Sequence, residues 1–447
     1  MKKIIFITIA FSVLLISCNK MLDIQPTDSI SSDVAIKDKA GVDKAITGAY
    51  DALQYAGIYG RNRVILGDLA ADNLVWTGTT YDYYEIENNE VSIENGIIDA
   101  MWSVSYDGIN RVNNVLAALP GISDLTDAER DKYEGEALFL RALNYFNLLQ
   151  YFGGVPIVIA PTLNVDEVDR PRKTASEVYD QIIADLKTAE SKLPGPQDMS
   201  DGKANSFSAS ALLARVYLTR FHAENNNQFA ADAIVKATEV INSGSFSLLG
   251  NYADLYDDAG SENIFQVVFS VQDRNVISQY FYPRSLDGRY EIAPSESLIQ
   301  SYNVADSLRY KASIQTDTLD KIYGFKYQDL AEGADAILVI RLAEMYLIVA
   351  EALAYTTGDI PTIQQNINVI RSRAGLEPTT ATTYDELKLA IEKERRQEFA
   401  FEGHRWFDLV RTKRATTLLG IDENHTLFPI PLSEMTTNKS MEQNPGY

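Results

Sequence analysis

Apolar residues recur at helical spacing along much of the chain. Val34, Ala45, Ile46, Ala49 and Leu53 fall roughly on one face over 33–54, and Ile98, Met101, Trp102, Ile109, Val112 and Leu116 repeat the pattern over 97–119. Three later helices mark their own starts: Thr126 with Glu129, Thr174 with Glu177 and Thr383 with Glu386 each fit a capping box. In that box the threonine oxygen and the glutamate three residues on satisfy amides the helix leaves unpaired. Helices then come in pairs, 97–119 with 127–152, 175–193 with 207–222, and 338–355 with 360–373. Small residues such as Ala137, Ala142, Ala214, Ala343 and Ala350 stand where two backbones must approach closely. The pattern predicts a mainly α fold. The strict tetratricopeptide consensus is not visible, so a scaffold of stacked hairpins and an irregular bundle both fit.

The helical period breaks in two long segments, about 60–95 and about 245–335. The second contains ENIFQVVFSVQDRNVISQYFYPRSLDGRY, whose β-branched and aromatic alternation predicts short strands joined by loops. The first contains WTGTTYDYYEIENNE at 76–90, with Trp76, Tyr81, Tyr83 and Tyr84 set among polar residues. Loops this long in a folded protein are usually functional or disordered, and such aromatic content disfavours disorder. Amphipathic rings edged by hydrogen-bonding groups suit a ligand that is itself half apolar. The competing reading is that the rings cover the scaffold, since large aromatics are mostly buried even in loops.

Composition narrows the function. The chain has 447 residues, 46% of them hydrophobic, enough for a large core and more than one compact domain usually holds. A net charge of -22 and a pI near 4.6 argue against a polyanion partner, nucleic acid above all, which is bound largely by Lys and Arg. The first residues, MKKIIFITIAFSVLLISCNK, combine two lysines with an apolar run too short to span a bilayer comfortably, as a secretory signal does. Cys18 is the sole cysteine, so no intramolecular disulfide can form. The three histidines, His222, His404 and His425, have no spacing that puts two on one helix turn for zinc.

Two stretches look catalytic at first sight. In IEKERRQEFAFEGHRWFDLVR, 391–411, Glu394, Glu398 and Glu402 recur every four residues, as do Arg395 and Phe399. Such rows on one helix are better explained as paired, partly buried charges that lock helices together than as acid–base chemistry. Glu344 and Glu351 lie seven apart in an alanine-rich packing helix, a poor match to the two carboxylates a glycosidase needs across a cleft.

Five blocks in this order resemble the SusD/RagB-like outer-membrane nutrient-binding lipoproteins. They are EALFLRALNYFNLLQYFGGVPIV at 136–158, IRLAEMYLIVAEALA at 340–354, INVIRSRAGL at 367–376, IEKERRQEFAFEGHRWFDLVR at 391–411 and LFPIPLSEMTTNKSMEQNPGY at 427–447. Leu15-Ile16-Ser17-Cys18 resembles the bacterial lipobox, which implies a signal over 1–17, a lipid on Cys18 and a tether over 18–32. The resemblance implies a SusD-like domain over 33–447: a helical scaffold with tetratricopeptide-like hairpins, and an irregular loop and short-strand region carrying the ligand site. It also implies a non-enzymatic protein without cofactors. Its partners would be an oligosaccharide or polysaccharide, the membrane through the lipid, and a SusC-like TonB-dependent transporter. Glycan capture, RagB-like oligopeptide capture and, more weakly, glycan cleavage are the functions in play. The expected ligand contacts are Trp76 and Tyr282 as stacking platforms, Tyr81 and Tyr83 at the edge, and Asn73 and Arg284 as hydrogen-bond donors to hydroxyls.

Overall fold

The computed structural model describes residues 36–447 except 165, 166, 197, 257–259 and 303. The signal over 1–17, Cys18, the tether over 18–32 and Val34 therefore lie outside the described residues. The fold is mainly α, with three two-stranded antiparallel sheets among the described residues. Its long helices form a continuous row in which each packs on the next: Lys39–Gln54, Gly96–Ala118, Asp127–Phe152, Ala175–Lys192, Ser206–Glu224, Asn227–Asn242, Leu342–Tyr355, Ile360–Arg373 and Tyr384–Glu398. All three capping boxes form, at Thr126, Thr174 and Thr383.

Several elements differ from the periodicity reading. Asn227–Asn242 is a helix whose buried face is Ala230, Ala233, Ala237 and Val240, three of them too small to raise a strong apolar signal. The apolar run that opens the expected 338–355 helix is instead a strand, Ile337–Arg341, paired antiparallel with Asn263–Val267 and buried throughout. A short, wholly apolar run carries no period to separate buried strand from buried helix. The segment 245–335 is also less β-rich than expected, because Ile277–Phe281 is helical.

The charged stretch 391–411 is two helices, not one. Tyr384–Glu398 stops, the chain turns through Phe401 and Gly403 at positive φ, and Arg405–Arg411 follows. The turn is held by the buried Asp68 carboxylate, which accepts the Phe401 N–H at 2.6 Å, and by Arg63, which donates to the Gly403 carbonyl at 2.7 Å. A Cβ on Gly67 would sit 2.0 Å from that carbonyl oxygen, so glycine is required for this close approach.

The acidic and basic rows meet partners inside the protein. Arg341 bonds Glu398 at 2.5 Å, Glu262 at 2.9 Å and Glu402 at 2.9 Å. Lys326 adds to Glu402 at 2.7 Å, and Arg309 joins Glu394 at 2.6 Å. Glu344 holds Arg215 at 2.7 Å, while Glu351 takes Arg411 and, at 2.8 Å, His222 Nε2. Each of these carboxylates is buried and matched by a cation, which is how charge is tolerated in a core.

Candidate functional site

The two irregular segments come together. Leu74–Trp76 pairs with Ile292–Pro294, Trp76 opposite Ile292, and the amides of Thr77 and Gly78 then both donate to the Glu291 carbonyl, at 2.9 and 3.1 Å. The Glu291 side chain, itself buried, accepts the backbone N–H groups of Thr79 and Thr80 at 2.9 and 3.0 Å. Burial opposes ionisation there, but those amides outweigh it and hold the carboxyl below its usual range. Gly78 is required at this crossing, because a Cβ would lie 2.2 Å from a Glu291 oxygen.

This anchored segment leads into a short helix, Tyr81–Glu87, and the helix answers what the rings rest on. Tyr83 and Ile86 point into the core, while Tyr81 and Tyr84, three apart, share the outward face. Tyr81 stacks on Tyr84 with centroids 5.2 Å apart, and Tyr84 meets the half-buried Trp76 edge-on at 5.3 Å. Tyr81 remains 61% exposed. The rings thus rest on each other and on the strand that Glu87 caps by accepting the Trp76 N–H at 3.1 Å.

Thr77, Gly78 and Thr79 also form one wall of a cleft of about 270 Å³, closed by the turns at 283–290 and 317–321. Tyr290 braces it: its carbonyl accepts the Thr77 hydroxyl at 2.8 Å and its own hydroxyl donates to the Ile322 carbonyl at 3.0 Å. Arg284, Arg289 and Lys321 supply its cations, and Asp317 its carboxylate.

Three of the expected contacts are corrected by burial. Tyr83 is 1% exposed and its hydroxyl bonds Asn62 at 3.2 Å, so its ring belongs to the core. Asn73 is equally buried, donating to Asp68 at 2.9 Å and accepting from Arg396 at 2.8 Å, so its amide ties the site to the scaffold and is closed off from a ligand by burial. Tyr282 is 7% exposed and packs on Tyr323 at 4.8 Å, so it offers no open face. Tyr81 stays on the surface, Arg284 lines the cleft, and Trp76 is half-buried against the core. Tyr84, in the ring set, and Lys321, in the cleft, are not among the expected contacts. The three-residue spacing of Tyr81 and Tyr84 could have indicated the first, whereas nothing local to the 317–321 turn points to the second.

Comparison with known proteins agrees with this architecture. Residues 20–218 match a family model described as starch-binding associating with outer membrane, and residues 323–426 match the SusD family model. SusD-like protein P2 of Formosa agariphila is 27% identical over 100% of both chains. A laminarin binding SusD-like protein of solved structure superposes with a TM-score of 0.81 at 26% identity, over 92% of this chain and 100% of that one. Surface glycan-binding protein A from Bacteroides uniformis superposes with a TM-score of 0.79 at 26% identity, over 91% of this chain and 99% of that one. Family blocks at both ends of the helical row, end-to-end similarity and a shared fold all converge: the chain belongs to the SusD/RagB family.

Proposed function

We propose that the protein captures glycan chains at the outer membrane and passes them to a SusC-like TonB-dependent transporter, by binding and not by catalysis. The observation that carries this reading is the outward ring set Trp76–Tyr84–Tyr81 beside the polar Thr77–Thr79 segment and its cleft. Sugar rings present apolar C–H faces that stack on aromatics, and their hydroxyls take the polar edges. Support also comes from relatives named for laminarin and surface glycan binding. Oligopeptide capture would draw mainly on main-chain pairing along a strand edge and has no comparable use for a ring surface.

A glycan array beside a random peptide library, both probed with the purified full-length protein, tests the reading. Glycan retention that weakens when Tyr81 is changed to alanine is expected; peptide retention without glycan binding would overturn it. Attachment through a lipid on Cys18 and transfer to the transporter complete the proposal. Cys18→Ala should release the protein from the membrane fraction of cells lacking the transporter, and mild detergent should extract it from normal cells together with a β-barrel protein. Membrane retention of the variant, or extraction of the protein alone, would sink the corresponding half.

A further inference from the structure

We propose that the glycan this site takes is anionic, a chain bearing carboxylate or sulfate groups, bound by Arg284, Arg289 and Lys321 in the cleft beside the ring set. The proposal rests on the glycan-binding reading and narrows it.

The chain holds 62 acidic against 40 basic residues, so a surface cleft would be expected to be acid-rich. This cleft reverses the balance, with three cations to one carboxylate. That carboxylate, Asp317, is already engaged: it accepts the backbone N–H groups of Leu319 and Lys321 at 2.9 and 2.7 Å and the Ser285 hydroxyl. Asp287 and Asp320 belong to the same turns but do not line the cleft. Other described arginines are engaged, either by acids, as in the core network around Arg341, or by backbone carbonyls, as for Arg63 and Arg130. The Arg284 side chain is exposed and makes neither hydrogen bond nor ion pair among the described residues. Lys321 makes no ion pair there either, its ammonium lying 5.9 Å from the Tyr290 ring centroid. Arg289 is partly spoken for by Glu291 at 3.4 Å. Its guanidinium and that of Arg61 both lie on the Tyr280 ring, 4.7 and 4.6 Å from its centroid, so Arg289 shares that ring with a further cation.

Neutral hydroxyls are met adequately by amide and hydroxyl groups. Unpaired guanidinium and ammonium groups gain most from a full negative charge, which they bond more strongly than a neutral oxygen. The chain's overall negative charge opposes a polyanion only at long range, because at ordinary ionic strength fields decay over about 10 Å and the nearest cations dominate. Three residues link Trp76 to the far side of the Thr77–Thr79 wall, at most about 3.6 Å each, so one oligosaccharide can reach both rings and cleft. A uronate or sulfated sugar keeps a C–H face for stacking while its charged group faces the cations.

The experiment titrates purified full-length protein with laminarihexaose, with tetragalacturonate and with a sulfated carrageenan tetrasaccharide, at about 0.05 M and about 0.5 M salt, where the Debye length is about 14 Å and about 4 Å. One of the two anionic probes is expected to bind at least about tenfold tighter than the neutral one at low salt and to lose about tenfold at high salt; which one separates carboxylate from sulfate. Arg284→Ala and Lys321→Ala should each weaken that binding about five- to tenfold with the melting temperature unchanged, and Arg284→Lys should restore most of it. Binding of laminarihexaose alone, independent of salt and of Arg284, overturns the anionic proposal and leaves glycan capture standing. Failure of all three probes, with peptides retained on the library, overturns both.

Discussion

At the scale of single residues, Tyr81 and Tyr282 show how one side chain type serves opposite ends. Tyr81 stands on the open face of a short helix, 61% exposed, with one side of its ring against Tyr84. Tyr282 is enclosed by Tyr323 and Phe325. Changing Tyr81 to alanine should cost about 1–3 kcal/mol of glycan affinity, as for a binding hot spot, and leave the melting temperature within a degree or two. Changing Tyr282 to alanine should instead remove about 3 kcal/mol or more of stability through the cavity it leaves. Calorimetric titration and denaturant melts on both variants check the contrast. Loss of affinity at unchanged stability in Tyr282→Ala would return that ring to the site.

At the scale of elements, Arg341 is the joint. It ends the Ile337–Arg341 strand, precedes the Leu342–Tyr355 helix, and bonds Glu262 beside the partner strand, Glu398 at the end of the Tyr384–Glu398 helix, and Glu402 in the turn beyond. The pairing explains why the most motif-like residues of the chain build the scaffold. Replacing Arg341 by methionine keeps much of its volume but removes the cation shared by three buried carboxylates, leaving Glu262 and Glu398 to Arg373 and Glu402 to Lys326, and should destabilise the protein by about 3 kcal/mol. Adding Glu402→Gln to that variant should recover part of the loss, since the two residues are in contact and their effects do not add. Equal urea midpoints for wild type and Arg341→Met would show that the network contributes nothing.

At the scale of the whole molecule, the buried charges set the response to acid. Burial opposes ionisation of Glu398 and Glu351, but Arg373, Arg341 and Arg309 around the first, and Arg411 beside the second, hold both carboxyls well below their usual range. Glu402 and Asp408 are lowered in the same way. When unfolded, these groups take up protons near pH 4 and the folded ones do not, so their contribution is present above that pH and is lost as pH falls below it. His404 is pushed well below its ordinary value by burial, reinforced by Arg215 and Arg395, and His222 is lowered mainly by burial. The unfolded histidines bind protons near pH 6.5, so stability begins to decline there. Asp68 acts the other way: burial raises it to about 6, so protonation favours the folded state between that pH and about 4. Scanning calorimetry at constant ionic strength should show a shallow fall in melting temperature from pH 7 to about 5 and a steep one below about 4. A melting temperature that holds level down to pH 3 would contradict this account.

The sequence by itself determined most helices of the row, because their signals are local. Thr126 with Glu129 satisfies a helix start within four residues, and the apolar period over 97–119 states which face must be buried. It also located both segments that build the candidate site, through their loss of period and their aromatic content. Only the tertiary structure decided which rings face outward. Tyr83 and Tyr84 are neighbours in sequence, and it is the turn of the Tyr81–Glu87 helix against Asn62 and Tyr280 that buries one and leaves the other on the surface. Asn73 went to the scaffold because Asp68 and Arg396, the latter 323 positions away, converge on it. The charge of the cleft was likewise hidden, since Arg284 and Lys321 acquire a common environment only when the 283–290 and 317–321 turns close on Thr77–Thr79. Local bonding rules can be read along a chain; convergence of distant polar groups depends on the packing that brings them together.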